Sequence, residues 1–171
     1  ATQYRFLKTI RDENSFRSVP SFKILLTGVS LRSILVEVIR IFGLFGQSED
    51  IPLLLPFLKS SEPAILSAAL KAIGQRNLDL LLPYLNKFLA HDHPMVKAAG
   101  LEIFLISDKE GALRYLQSLL TSSQPNIRRM ALSMIPLVDA PSAEPILKQV
   151  LRTDPQEPIR REAAYLLISN I

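Results

Sequence analysis

The sequence contains no cysteine and no tryptophan, and only two of its 171 residues are histidines. Without cysteine the chain forms no disulfide and no thiolate metal site, which favours a reducing compartment such as the cytoplasm. The longest stretch without a charged side chain covers residues 115–127 and contains several polar residues. A membrane-spanning helix needs about 20 mostly apolar residues. The sequence therefore predicts no membrane span and no disulfide scaffold.

Motifs that bind phosphate groups are also missing, since neither GxxxxGK[ST] nor GxGxxG occurs. His91 and His93 flank Asp92, but no third histidine or cysteine completes a metal site, so a solvated turn is the preferred interpretation. The acidic residues at 49–50 and 108–110 precede predicted helices, where negative charge is favourable. We therefore expect no catalytic site, no metal site and no cofactor.

The composition is that of a globular protein with an aliphatic core, because 48% of the residues are hydrophobic and 21% are charged. The net charge of +4 permits an anionic partner, although the acidic and basic residues are interspersed. The chain begins at Ala1 rather than methionine, and we expect it to be a segment of a longer protein.

A repeat of about 31 residues organises most of the chain. Prolines recur at positions 63, 94, 125 and 158, at intervals of 31, 31 and 33 residues. Each proline is followed within two positions by a β-branched residue, then after four more by a small residue, and after another four by a large apolar residue. These triplets are Ile65, Ala69 and Ile73; Val96, Gly100 and Phe104; Ile127, Ala131 and Ile135; and Ile159, Ala163 and Leu167. Ile34, Val38 and Phe42 repeat the spacing upstream, without the proline.

Apolar residues four apart form one face of an α-helix, and proline is favoured in a helix's first turn. A second apolar segment precedes each proline, at 50–60, 78–90, 111–121 and 142–152, so each repeat is predicted to be a helical hairpin. The predicted hairpins cover 50–75, 78–107, 111–138 and 142–169 in one continuous array. Because a single hairpin leaves an apolar face uncovered, stacked hairpins are required. The predicted fold is therefore all-α, a right-handed α-α superhelix (solenoid) of about five hairpins.

The repeats resemble HEAT repeats, particularly the short bacterial type related to phycobilisome lyases. The segment LRTDPQEPIRREAAYLL, residues 151–167, carries the resemblance most clearly, through Asp154, Pro155, Ile159, Arg160 and Ala163. The resemblance implies a hydrogen-bonded ladder between adjacent repeats, in which Asp154 and Arg160 take part. The corresponding pairs elsewhere are His91 and Lys97, Ser122 and Arg128, and Ser60 and Leu66.

Basic residues recur at one point of the second helices and form a candidate binding stripe. Its members are Lys97, Arg128, Arg129, Arg160 and Arg161. Such a stripe is suited to an anionic partner and makes nucleic-acid binding an alternative function. Against it, acidic residues lie nearby in the sequence and few aromatic residues are free to stack on bases. A charge network within the array is the other interpretation.

Residues 1–48 differ from the rest and are predicted to form an N-terminal helix and a divergent first repeat. The alternative is an interface with another domain or with a second copy of the chain. At the other end, the apolar residues between Tyr165 and Ile171 lead us to expect that further chain follows, and that the terminal helices promote self-association.

The expected function is that of a non-catalytic scaffold, which binds another protein or another domain of the same chain. The resemblance leaves two alternatives, nucleic-acid binding and a lyase or chaperone role like that of the phycobilisome relatives. The absence of cysteine favours a cytoplasmic location, and the resemblance adds the alternative that the segment is the cytoplasmic part of a membrane-attached protein.

Overall fold

The computed structural model describes residues 32–169, which contain nine α-helices and no β-strand. In chain order the helices are α1 (Arg32–Phe45), α2 (Ile51–Leu54), α3 (Pro63–Gly74), α4 (Leu85–Leu89), α5 (Pro94–Ser107), α6 (Lys109–Leu120), α7 (Pro125–Leu132), α8 (Ala140–Thr153) and α9 (Glu157–Ser169). The all-α prediction is confirmed for these residues. The superhelical course and the continuity of the array stay predictions. The predicted N-terminal helix and Ile171 lie outside the described residues.

The recurring prolines stand at the first turn of the second helix in every hairpin. Helices α3, α5 and α7 begin at Pro63, Pro94 and Pro125, and Pro158 is the second residue of α9. The first N–H groups of a helix have no acceptor within it, so a residue that lacks an N–H loses nothing there. The prediction that these prolines mark helix starts is confirmed.

The regular first helices predicted at 50–60 and 78–90 were wrong in detail. The first is α2 followed by a 3₁₀ segment, Leu55–Lys59, and the second is two 3₁₀ turns followed by α4. Pro56 and Pro83 lie inside these segments, where each lacks an N–H donor and its ring would collide with the carbonyl four residues earlier in a continuous α-helix. A proline at a helix start is therefore favourable, whereas Pro56 and Pro83 coincide with 3₁₀ geometry; Pro145, the sixth residue of α8, is accommodated within a continuous helix.

The chain divides into two compact units, Ala1–Ile103 and Phe104–Ile171. In unit 1, α1 packs on α3, and α3 also contacts the broken first segment of its hairpin. In unit 2, α6 packs on α7, α8 packs on α9, and α7 also contacts α9. Each unit therefore buries its helices by pairing hairpin partners and by contact between hairpins.

The small residue about two turns into each second helix is buried, as its recurrence predicts. Ala69, Ala131 and Ala163 have no exposed surface, and Gly100 is also buried. At Gly100 an added Cβ would lie 3.1 Å from the Cβ of Phe88, on the first helix of the same hairpin. A larger side chain at these positions would push neighbouring helices apart.

Helices α1 and α3 approach each other closely at Gly43. A Cβ added there would lie 2.7 Å from the Cα of Ala72 and 2.9 Å from its Cβ. We expect Gly43→Ala to lower the free energy of unfolding by about 1–3 kcal/mol, because backbone rather than a flexible side chain must move. Urea unfolding measures the change.

Gly74→Ala is the matched control, because a Cβ there makes only ordinary contacts, at 3.4 Å to Ile103 and 3.6 Å to Leu81. Alanine favours the helix over glycine, so this variant should be as stable as the parent chain or more stable. Equal effects of the two substitutions would contradict the packing of α1 on α3 given above.

Candidate functional site around Arg128 and Asp154

One side chain in each hairpin turn accepts a hydrogen bond from the backbone N–H two residues later. The bonds join Glu62 N to Ser60 Oγ (3.1 Å), His93 N to His91 Nδ1 (3.0 Å), Gln124 N to Ser122 Oγ (3.2 Å) and Gln156 N to Asp154 Oδ1 (2.8 Å). Serine, histidine and aspartate all carry an acceptor within reach of that N–H, so the turn tolerates each of them. The turn aspartate of the resemblance is therefore replaced by other acceptors in the first three hairpins.

The histidine pair belongs to this turn. His91 accepts from His93 N, and the Nδ1 atom of His93 in turn accepts from Met95 N at 3.2 Å, in the first turn of α5. Within residues 32–169 no group of three metal-ligating side chains comes together. The geometry of the pair is that of a turn that leads into a helix.

A basic residue early in the second helix donates to a backbone carbonyl at, or one to two residues beyond, the end of the first. Lys97 donates to Leu89 O at 3.1 Å, Arg128 to Ser122 O at 2.8 Å and Arg160 to Asp154 O at 2.8 Å. The last carbonyls of a helix have no partner within it and carry partial negative charge, so a cation there is stabilising. These three members of the predicted stripe thus hold the turn of their own hairpin.

Arg128 also reaches the next hairpin. Its Nε and Nη2 atoms donate to the two carboxylate oxygens of Asp154 at 2.7 and 3.2 Å. The side chains of the pair are only 6% and 3% exposed. The bidentate contact fixes the turn after α8 against α7, because two parallel bonds define both distance and orientation.

The expected ladder between adjacent repeats is present at Asp154, and Arg160 makes a different bond. Arg160 binds the backbone carbonyl of Asp154 within one turn, and the carboxylate pairs with Arg128, 26 residues earlier. The bond between adjacent hairpins therefore comes from the arginine of the preceding repeat. No local spacing in the sequence indicates this pairing.

The pair shifts the pKa of both of its members. Burial by itself would raise the pKa of Asp154, but hydrogen bonds from Arg128 and from Gln156 N–H outweigh it and hold that pKa below its usual value. The hydrogen bond to Asp154 raises the pKa of Arg128 despite its burial. Both groups are therefore charged at neutral pH.

The two remaining stripe residues, Arg129 and Arg161, are exposed. Arg161 donates to Glu157 at 2.7 Å, one turn earlier on the same helix. In unit 1 the acidic Glu102 pairs with Lys71 of the preceding hairpin at 2.5 Å. The basic positions thus divide into buried or half-buried residues that bind the backbone and exposed residues that face solvent.

A groove of about 610 Å³ lies beside the Arg128–Asp154 pair, between α6 and α8. Two Gln–Thr pairs with the same spacing line it, Gln117 with Thr121 and Gln149 with Thr153. In each pair the threonine hydroxyl donates to the backbone carbonyl of the glutamine, at 3.2 and 2.9 Å. Sequence analysis missed these residues, although their recurrence after 32 positions is a signal that alignment of the first helices reveals.

Neither a protein family nor a curated protein matches the chain. In the part of the chain that the structure describes, no helix combines the length and apolarity that crossing a bilayer requires. The functional interpretation therefore depends on the side chains of the two units.

Arg128 and Arg129 are adjacent residues with different predicted roles, and substituting each residue in turn distinguishes these roles. Arg128→Gln should lower the melting temperature by several degrees, because it leaves the buried carboxylate of Asp154 without its cation. Arg129→Gln is the matched control and should leave the melting temperature unchanged, since surface substitutions have small effects. Circular dichroism melts of the two variants make the comparison. Equal melting temperatures would show that the pair does not stabilise unit 2.

The lowered pKa of Asp154 predicts how stability depends on pH. A carboxyl group whose pKa is lower in the folded state stabilises the fold above its unfolded pKa, and that contribution is lost as the pH falls through the folded pKa. The stability gap between the parent chain and Asp154→Asn should therefore be constant near neutral pH and narrow below about pH 4. Urea unfolding at a series of pH values measures the gap. A gap that widens below pH 4 would contradict the assignment.

Proposed function

We propose that the chain is a HEAT-like scaffold without catalytic activity, which binds another polypeptide in the cytoplasm. The observation that carries the proposal is the use of Lys97, Arg128 and Arg160, each of which donates to a backbone carbonyl of its own hairpin turn. The recurring cations therefore serve to align helices, as in an array whose function is to present a surface. The same observation weakens the case for a phosphate-binding stripe.

Exposed apolar side chains on unit 2 support a polypeptide partner. Tyr165 and Ile168 are 71% and 76% exposed and lie three residues apart, on one face of α9. Ile106, at the end of α5, is 69% exposed. Large apolar groups that share a face favour contact with a protein, whether another chain, another domain or a second copy.

Nucleic-acid binding is the second candidate, because Arg129 is exposed and the net charge is positive. It requires several cations that reach successive phosphates. Of the five stripe residues, Arg128 is buried against Asp154, and Lys97 and Arg160 are held by carbonyls. A polypeptide partner is therefore the preferred function.

A binding selection distinguishes the two functions. The full chain is presented with a display library of folded domains and random peptides, and in parallel with duplex DNA and single-stranded RNA. We expect polypeptide binders whose Kd changes little between about 50 and 200 mM salt, because few phosphate-type contacts are made.

A substitution on α9 tests the exposed apolar face. Ile168→Glu should weaken the complex with any binder that uses α9, and should also weaken self-association measured by light scattering. Glu144→Ala on α8 is the control and should have no effect.

Binding of nucleic acid alone, with an affinity that falls steeply with salt, would overturn the scaffold proposal. Arg129→Gln together with Arg161→Gln would then reduce the salt dependence. Polypeptide binding that survives high salt supports the proposal, whichever surface the binder occupies.

A further inference from the structure

We propose that the groove between α6 and α8 binds an uncharged peptide segment in extended conformation, through the amide groups of Gln117 and Gln149. This inference depends on the proposed scaffold function and specifies the chemistry of one partner. The groove lies entirely within unit 2 and its volume of about 610 Å³ is in the usual range of ligand sites.

The groove has no net charge to attract an ion. Arg128 and Asp154 are the only charged residues among those that line it, and they neutralise each other in a bidentate contact. A phosphate would have to compete with Asp154 for the guanidinium, and a metal ion with Arg128 for the carboxylate. The electrostatics therefore favour a neutral ligand.

Two exposed primary amides dominate the polar rim. Gln117 and Gln149 occupy the same place on α6 and α8, and their threonine partners already donate their hydroxyl hydrogens to the helix backbone. Each glutamine amide offers N–H donors and a carbonyl acceptor, which is the same combination that a peptide unit presents. A peptide backbone can thus exchange a donor and an acceptor with each amide.

The buried side chains that line the groove, which we take as its floor, are the aliphatic Leu120 on α6 and Ile146 and Val150 on α8, beside the Arg128–Asp154 pair. In an extended chain, successive side chains point to opposite sides, so alternate residues face the floor. Extended-peptide recognition generally takes affinity from main-chain hydrogen bonds and specificity from pockets for alternate side chains. The combination of an amide rim and an aliphatic floor therefore fits a neutral segment with aliphatic residues at alternate positions.

The test uses peptides selected on the full chain from a random library. We expect enrichment of uncharged sequences with alternating aliphatic residues. Gln117→Ala combined with Gln149→Ala should weaken their binding by about tenfold or more, since two or more hydrogen bonds are lost. Gln75→Ala, an exposed glutamine in unit 1, is the control and should bind normally. An unchanged melting temperature of the double variant shows that the loss is local.

Methylation of alternate backbone nitrogens in a selected peptide provides a second measurement. Methylation removes N–H donors while the peptide's side chains stay in place. Binding should therefore be lost if the glutamine amides form hydrogen bonds with the peptide backbone.

Peptides that bind the double variant as well as the parent chain, or that tolerate methylation at every position, would overturn the groove assignment and leave the scaffold function standing. Binding of oligosaccharides without any peptide would overturn it as well. Failure of every polypeptide in the library, with nucleic acid bound, would instead overturn the scaffold function.

Discussion

A hydrogen bond from a cation early in the second helix to a carbonyl at or just after the end of the first is the interaction on which three of the four hairpins depend. A helix ends with carbonyl groups that have no partner, and a tight turn brings those groups close to the start of the next helix. A long basic side chain one turn into that helix can reach back to them, as Lys97, Arg128 and Arg160 do. The acceptor side chain at the start of the turn pairs with a backbone N–H on the other side. Together the two bonds engage one backbone group on each side of the turn, so the intervening residues can vary.

The same geometry explains why neighbouring basic residues have different surroundings. Successive residues on a helix point about 100° apart, so only one of two adjacent arginines can face the turn. Arg128 faces it and is 5% exposed, whereas Arg129 is exposed to solvent. A tandem of arginines in such a repeat therefore contains one residue that holds the turn and one that is available to a partner. The stripe predicted from the sequence included residues of both kinds.

The sequence predicts the helices well where local rules decide, and less well where a distant partner decides. Apolar residues spaced four apart identify the buried face of each second helix. The small residues on that face, Ala69, Gly100, Ala131 and Ala163, are buried as expected. Local proline chemistry places the starts of the second helices correctly. Pro56 and Pro83 coincide with 3₁₀ segments where hydrophobicity alone favours an α-helix, although α8 accommodates Pro145. The pairing of Asp154 with Arg128 could not be predicted, because it joins residues 26 apart and depends on how two hairpins pack. The resemblance gives the residue types of the ladder and its course between adjacent repeats, but it does not show that Arg160 bonds within its own turn.

The candidate groove was missed for a related reason. Analysis of charge and of catalytic residue types selects ionisable side chains, and here most of the recurring ones hold the turns. Once Arg128 and Asp154 neutralise each other, the groups left to recognise a ligand beside them are neutral amides, hydroxyls and aliphatic side chains. Gln117 and Gln149 are 32 positions apart, which is close to the repeat length, so the hairpins that stack through the buried pair also place two equivalent amides along one groove. The packing of Arg128 against Asp154 thus sets the distance between the two glutamine amides that would contact a partner.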